Sequence, residues 1–253
     1  MGLATLCMVE PAAAQTTRLI EYHMQMEPLK EGKRVALTFD ACMGKVDERI
    51  LQTLLDNKIK ATIFVTARWS KYNAKTIAIL KANSDLFEIE NHGAQHVVAV
   101  DYPAVVYNDV SAGSAEGVKE EVSGGAKAIE KNFGTTPQWF RGATAEYTQT
   151  SMALVKDMGF KLAGFTFSGD GGALFSPEHA ARIIAQARDG DVILTHINQP
   201  RRAAGEGVAQ GILRLKEQGF TFVTLNEGFA PAPAESNKSP TENKNGEPSP
   251  PVQ

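Results

Sequence analysis

Cysteine is scarce in this sequence of 253 residues, which contains only Cys7 and Cys42. Cys7 lies in an apolar stretch near the N-terminus that we predict to be cleaved off, and Cys42 is then the only cysteine of the mature chain. A single cysteine cannot form an intramolecular disulfide, and a disulfide framework is therefore excluded.

Long apolar runs are also absent, since no segment approaches the roughly 20 residues of a membrane span. The apolar residues 2–9 are followed by Ala12-Ala13-Ala14, small residues typical of a cleavage site for signal peptidase before Gln15. We therefore predict a signal peptide over residues 1–14 and an exported mature chain, periplasmic or secreted, without a transmembrane segment. No Lys or Arg precedes Arg18, and we expect the basic region of the signal to lie upstream of Met1.

An excess of positive charge is missing as well. The formal net charge is -3, which gives no electrostatic footprint for nucleic acid. The sequence also lacks a G-x-S-x-G elbow, a phosphate-binding P-loop and a G-x-G-x-x-G frame, so serine hydrolases of that type and nucleotide-binding folds are not indicated.

Large apolar residues are rare after Pro231. Residues 231–253 are rich in Pro, Ser, Asn, Lys and Glu and are predicted to be a disordered tail. The remainder, residues 30–230, is predicted to be one catalytic domain, because no linker divides it.

Within this domain short apolar runs alternate with amphipathic stretches. The predicted strands are 35–39, 61–65, 86–90, 139–141, 162–165, 192–195 and 220–224. The predicted helices are 46–55, 74–80, 116–133, 151–158, 177–187 and 203–218. This alternation predicts an α/β fold with about seven parallel strands, either an open sheet or a barrel.

Polar side chains stand at the ends of four predicted strands. Asp40, His92 and His196 follow strands, and Arg141 ends one. The carboxyl ends of parallel strands lie on one face, where α/β proteins place their active sites. We therefore expect these four residues to form a site.

The pair His92 and His96 offers two nitrogen ligands for a metal such as zinc. Two histidines at this spacing are equally consistent with local capping or packing, and Gly93 favours a shaped loop over a helix. A catalytic metal usually has three protein ligands. Asp40 and Asp47 are the nearest candidates for the third.

Four residues allow two interpretations each. His196 is either a core histidine or a proton donor, and Asp170 is either its partner or part of a Gly-rich turn. Arg141 either holds a carboxylate ionised or forms a surface ion pair. Cys42 could be a nucleophile, but a small buried residue is the favoured interpretation.

Several motifs in this order resemble the polysaccharide deacetylases, also called the NodB-homology or chitooligosaccharide deacetylase family. They are Thr38-Phe39-Asp40, His92-Gly93-Ala94-Gln95-His96, Phe140-Arg141-Gly142 and Leu194-Thr195-His196. The resemblance covers residues 34–229 and implies a deformed (β/α) barrel. It also implies an enzyme that removes acetyl groups from N-acetylated sugars with a divalent metal, for which zinc, cobalt and nickel are candidates.

The resemblance implies a role for each residue. Asp40 corresponds to the general base, His92 and His96 to metal ligands and His196 to the general acid. Arg141 corresponds to the arginine that steadies the base, and Asp170 to the aspartate that tunes the acid.

Two departures from the family pattern matter. The first motif usually carries a second aspartate as metal ligand, and here Ala41 stands in its place. Either Asp40, Asp47 or a water molecule then completes the metal site, or the affinity for the metal is reduced. After Arg141 the usual Pro and aromatic residue are replaced by Gly142-Ala143-Thr144-Ala145, for which Tyr147 is a candidate substitute.

Two functions follow from this comparison. The first is a metal-dependent hydrolase that deacetylates an amino-sugar polymer or oligosaccharide of the chitooligosaccharide or peptidoglycan type. The alternative is a non-catalytic periplasmic carbohydrate-binding protein whose metal site has decayed, which Ala41 favours. Hydrolysis of a non-sugar amide is a third possibility.

Overall fold

The computed structural model describes residues 18–230. The predicted signal peptide, residues 1–14, and the predicted tail, residues 231–253, lie outside the described residues. The strands are β1 (Ile20–Glu21), β2 (Arg34–Ala41), β3 (Ala61–Val65), β4 (Phe87–Asn91), β5 (Val105–Val106), β6 (Asp109–Val110), β7 (Trp139–Phe140), β8 (Glu146–Tyr147), β9 (Lys161–Leu162), β10 (Phe167–Ser168), β11 (Val192–His196) and β12 (Thr221–Val223). The helices are α1 (Glu48–Asp56), α2 (Ala67–Ser70), α3 (Ala74–Ala82), α4 (Ala115–Phe133), α5 (Gln149–Asp157), α6 (Pro177–Ile184), α7 (Ala204–Glu217) and α8 (Leu225–Gly228).

The main sheet follows the strand order β10-β11-β2-β3-β4-β7-β9, and every neighbouring pair is parallel. The short strand β12 is added in parallel to the amino-terminal half of β2. The sheet curls into a half-barrel with covering helices, which confirms the predicted deformed (β/α) barrel.

The alternation of side chains along β2 separates two layers of the core. Val35, Leu37, Phe39 and Ala41 pack into an outer apolar cluster that includes residues of α1, α6 and α7. Ala36 belongs instead to an inner cluster with apolar residues of β3 and β11. Successive residues of a strand face opposite sides of the sheet, so Thr38 and Asp40 share the inner side with Ala36.

One predicted strand is wrong in its extent. Residues 162–165 do not form a continuous strand, because the segment before β2 packs against them. The backbone N–H of Met24 donates to the carbonyl of Phe165, and a Cβ on Gly164 would lie 2.1 Å from the carbonyl oxygen of Tyr22. The chain returns to the sheet only at Phe167, as β10.

The hairpin of β5 and β6 has no counterpart in the sequence prediction. Its turn places Tyr107 and Asn108 at positive φ, 49° and 74°. Across residues 18–230, no helix has the length and apolar character needed to cross a membrane.

Candidate active site

The carboxyl ends of the central strands bring the predicted site residues together. In the parallel register His196 of β11 lies beside Asp40 of β2, and Asn91 of β4 lies beside Phe140 of β7. His92 and Arg141, which directly follow β4 and β7, contact Asp40, so the four residues lie at the same face of the half-barrel, as their positions in the sequence predicted.

Asp40 is held by Arg141 inside the barrel. Arg141 is fully buried, and its Nη1 donates to Oδ1 of Asp40 at 3.1 Å and to the hydroxyl of Thr38 at 2.9 Å. Its Nη2 donates to the carbonyl of Gly164 at 2.6 Å. Burial opposes ionisation of Asp40, but His92, Arg141 and His196 outweigh this effect and hold the pKa of Asp40 below its ordinary value.

His92 is oriented by the backbone. Its Nδ1 lies 2.6 Å from the carbonyl oxygen of Arg141, and because a carbonyl can only accept, Nδ1 carries the proton of this hydrogen bond. Nε2 then faces Oδ2 of Asp40 at 3.7 Å and Sγ of Cys42 at 3.5 Å. Burial disfavours the cation, but Asp40 and Cys42 raise the pKa of His92 to about 9.

His96 reaches the site through a shaped loop, not through a helix. Gly93 and His96 have positive φ, 88° and 66°, and a left-handed backbone at a non-glycine residue needs support from its surroundings. Glu121 of α4 supplies this support, because its carboxylate accepts the backbone N–H groups of Gln95, His96 and Val97. Sequence spacing alone did not reveal this buried carboxylate.

His196 is paired with Asp170. The ring Nδ1 lies 3.1 Å from both carboxylate oxygens, and the backbone N–H of His196 donates to Oδ2 at 2.7 Å. Asp170 is fully buried. Burial disfavours the imidazolium, but the Asp170 carboxylate raises the pKa of His196 well above its ordinary value.

Cys42 is the site residue that the sequence interpretation missed. It is buried, as expected, but its Sγ lies in the site beside His92. Burial disfavours the thiolate, yet His92 and the neighbouring histidines lower the pKa of Cys42 well below its ordinary value. The available signal was the alternation of β2, because residue 42 shares the side of residue 40.

Three donors in this site fit a divalent metal. The ligand atoms of Cys42, His92 and His96 all lie within 4.8 Å of one another. The Nδ1 atom of His96 is buried and has no hydrogen-bond partner, which is costly for a polar atom unless it finds one. Sulfur and imidazole donors of this kind suit zinc and similar metals.

Two other residues that the sequence suggested for the site, Asp47 as a metal ligand and Tyr147 as an aromatic wall, lie outside it. Asp47 begins α1, where it accepts the backbone N–H of Arg49 and forms an ion pair with the guanidinium. Tyr147 is fully buried, and its hydroxyl accepts the backbone N–H of Gly142 at 2.8 Å. The prediction that Tyr147 replaces an aromatic wall is therefore wrong, because its ring packs in the core.

The site opens into a cavity of about 600 Å³ that Cys42, His96 and His196 help to line. Tyr107, from the β5–β6 hairpin, and Leu174 stand at its edge with 77% and 70% of their surfaces exposed. Thr144 also lines the cavity at a positive φ of 65°, and its hydroxyl is buried without a partner.

Comparison with known proteins gives consistent matches to this architecture. The chain is 25% identical over 198 residues to a bifunctional xylanase/deacetylase of Pseudobutyrivibrio xylanivorans, covering 78% of this chain and 30% of that protein. It covers 61% of the length of a second curated relative. The chain thus spans less than two thirds of both relatives.

Solved structures show the same fold. A family 4 acetyl xylan esterase from Clostridium thermocellum, in complex with a cobalt ion, is 29% identical with a TM-score of 0.62, covering 78% of this chain and 90% of that one. A CE4 family pseudoenzyme from Bacillus anthracis is 21% identical with a TM-score of 0.65, covering 81% and 67%, which shows the fold alone. The family model described as polysaccharide deacetylase matches residues 28–163. The chain belongs to the polysaccharide deacetylase family.

Proposed function

We propose that this protein is a metal-dependent hydrolase that removes N-acetyl groups from an amino-sugar polymer or oligosaccharide, of the chitooligosaccharide or peptidoglycan type. One observation carries the proposal. Asp40 lies beside Arg141, which favours its ionised form, while His196, which is paired with Asp170 and lies beside Asp40 in the strand register, lines the cavity as a proton donor. A base and an acid in one site are what amide hydrolysis requires.

His92 and His96 would hold the metal, with zinc, cobalt and nickel as candidates. When bound, such a metal supplies Lewis acidity that polarises a carbonyl and lowers the pKa of water to about 7. The hydrogen bond from His92 Nδ1 to the carbonyl of Arg141 directs Nε2 into the site, where its lone pair can bind a metal, the arrangement by which proteins orient histidine ligands.

Asp40 acts as the general base in this proposal. Its Oδ1 is occupied by Arg141, whereas Oδ2 faces His92 across 3.7 Å. Oδ2 is therefore the oxygen that takes the proton of the attacking water. Arg141 keeps the carboxylate ionised and fixes its plane.

His196 acts as the general acid. Asp170 holds the proton on Nδ1, so Nε2 is the atom that delivers a proton to the departing nitrogen. An amine leaves only after it is protonated, and a histidine whose pKa is raised well above its ordinary value holds that proton near neutral pH. This need for a proton favours an N-acetyl substrate over an O-acetyl ester.

The edge of the cavity supports a sugar substrate. Tyr107 and Leu174 expose apolar surface next to the polar site, and a pocket of apolar walls with a few convergent polar groups is typical of small-ligand sites. The apolar residues 2–9 and the small residues after them support action outside the cytoplasm, where such polymers lie.

The alternative is a carbohydrate-binding protein without catalysis. Ala41, which cannot bind a metal, favours it. The intact set of Asp40, Arg141, His196 and Asp170 favours catalysis, because binding alone needs no ionised base beside a charged acid.

Acetate release from a panel of substrates tests the proposal. We expect release from chitooligosaccharide or peptidoglycan, little release from acetylated xylan, and loss of activity after exhaustive chelation. Asp40→Asn should bind the same glycan without releasing acetate. Glycan binding by the wild type with no acetate release from any substrate would support the alternative instead.

A further inference from the structure

We propose that Cys42 is the third protein ligand of the metal, as a thiolate beside His92 and His96. The inference deepens the proposed function and rests on its metal site. It assigns the ligand to a residue two positions after Asp40, on the turn that follows β2.

The direction of β2 places Cys42 on the correct side. Ala41 packs into the outer apolar cluster with Leu37 and Phe39, so its position faces away from the cavity. Cys42 and Asp40 lie on the inner side, and Cys42 lines the cavity. The methyl group of Ala41 thus offers no donor to a metal, whereas the thiol of the next residue, Cys42, lines the cavity.

The spacing of the donors suits a metal. Sγ of Cys42 lies 3.5 Å from Nε2 of His92. For a Zn–S bond of about 2.3 Å and a Zn–N bond of about 2.0–2.1 Å, tetrahedral angles put sulfur and nitrogen about 3.5 Å apart. His96 completes a group whose ligand atoms are within 4.8 Å of one another.

The turn that carries Cys42 is fixed by buried side chains. Thr66 donates its hydroxyl proton to the carbonyl of Cys42 at 2.7 Å. The side-chain amides of Asn198 and Asn73 donate to the carbonyls of Met43 and Gly44. All three donors are at least 96% buried, since their exposed fractions are 0% for Thr66, 4% for Asn73 and 2% for Asn198. Such support is typical of a positioned ligand, since side chains that bind a metal need a rigid frame.

The two carboxylates that the sequence suggested as the third ligand, Asp40 and Asp47, are each bound by an arginine. Oδ1 of Asp40 accepts from Arg141, which suits a base more than a ligand, and Asp47 binds Arg49 at the start of α1. With Cys42 as ligand, Asp40 remains available to accept a proton. A thiolate also selects thiophilic metals such as zinc over magnesium or manganese.

Absorption spectroscopy with cobalt tests the inference directly. The full chain carrying Cys7→Ser, which leaves Cys42 as its only thiol, is loaded with Co²⁺ and compared with the same chain carrying Cys42→Ser or Cys42→Asp. We expect one bound cobalt and a sulfur-to-cobalt charge-transfer band in the near ultraviolet for the parent. Cys42→Ser should lose the band and bind cobalt more than about 100-fold more weakly, a larger loss than removal of a supporting residue causes. Cys42→Asp should retain bound cobalt without the band.

Each contrary result is distinct. Stoichiometric cobalt in the parent without the band, equal affinity in Cys42→Ser, or no cobalt binding at all would overturn the inference. Circular dichroism of each metal-free variant verifies folding. If the band is present but acetate is never released, the ligand assignment stands and the proposed function fails. If acetate is released in a metal-dependent manner without the band, the function stands and the ligand assignment fails.

Discussion

The two histidines at the strand ends, His92 and His196, occupy comparable positions but have different partners. Each engages a neighbour through Nδ1 and directs Nε2 into the site. His92 donates to the backbone carbonyl of Arg141, whereas His196 pairs with the carboxylate of Asp170.

The position of negative charge differs around the two rings. For His196 it lies behind the ring, at Asp170, where it stabilises an imidazolium whose other nitrogen can deliver a proton. For His92 it lies in front of Nε2, at Asp40 and Cys42, where it attracts a cation. We infer that the placement of the carboxylate assigns one histidine to proton transfer and the other to metal binding.

Replacing the general base should cause the largest loss of activity. Asp40→Asn removes the proton acceptor while Arg141 still has an amide oxygen to bind, so we expect acetate release to fall by about 10²–10⁴-fold with metal content unchanged. Asp47→Asn is the matched control, because asparagine also begins helices well and Asp47 lies outside the site. Equal losses in both variants would contradict the assignment.

Removing the charge behind His196 should have the next largest effect. Asp170→Asn lowers the pKa of His196, because the carboxylate is the group that raises it. His196 then loses its proton at a lower pH, so the alkaline limb of the pH–rate profile should move to lower pH. We expect the rate at neutral pH to fall by roughly 10²-fold, and an unshifted limb would argue against His196 as the acid.

Loosening the loop of His96 should weaken metal binding without abolishing catalysis. Glu121→Gln keeps the size of the side chain but replaces an oxygen that accepts backbone N–H groups. We expect metal affinity to fall by about 10–100-fold, with acetate release recovering at saturating metal. Titration with zinc measures this, and the exposed neighbour Glu120→Gln serves as control. Unchanged affinity in Glu121→Gln would show that the loop does not need this carboxylate.

The smallest expected effect is on stability. It concerns Glu90, which is buried like Asp40 but has no arginine beside its carboxylate among the described residues. Burial raises the pKa of Glu90 from 4.5 to about 8. Because the folded state holds this proton more tightly than the unfolded chain, the contribution of Glu90 is full below pH 4.5 and is lost as the pH rises towards 8.

Glu90→Gln should remove this dependence. Glutamine can still accept the backbone N–H groups of Gln138 and Trp139 that now bind Glu90. The thermal midpoint of the variant should exceed that of the wild type by a few degrees at pH 8 and by less at pH 5. If the thermal midpoints of the variant and the wild type differed by the same amount at every pH from 5 to 8, the raised pKa of Glu90 would be contradicted.

The sequence predicted the fold and the face of the site because strand ends are visible as polar residues after apolar runs. Asp40, His92, Arg141 and His196 were predicted to share one face in this way, and the structure brings them together. Glu121 could not be found, because its role depends on the contact of α4 with a distant loop. The alternation of side chains along β2 could have placed Cys42 on the side of Asp40, but cysteine is a residue type that indicated a core position. Tyr147 was assigned by chemistry alone, and the tertiary packing of its ring overrides that assignment.

The most direct test measures metal content and acetate release on the same preparations of wild type, His92→Ala and His196→Ala. We expect His92→Ala to lose both metal and activity, whereas His196→Ala should keep its metal and lose activity. The assignment of His92 to metal binding and His196 to proton transfer would be contradicted if His92→Ala retained its metal. It would also be contradicted if His196→Ala lost its metal together with its activity.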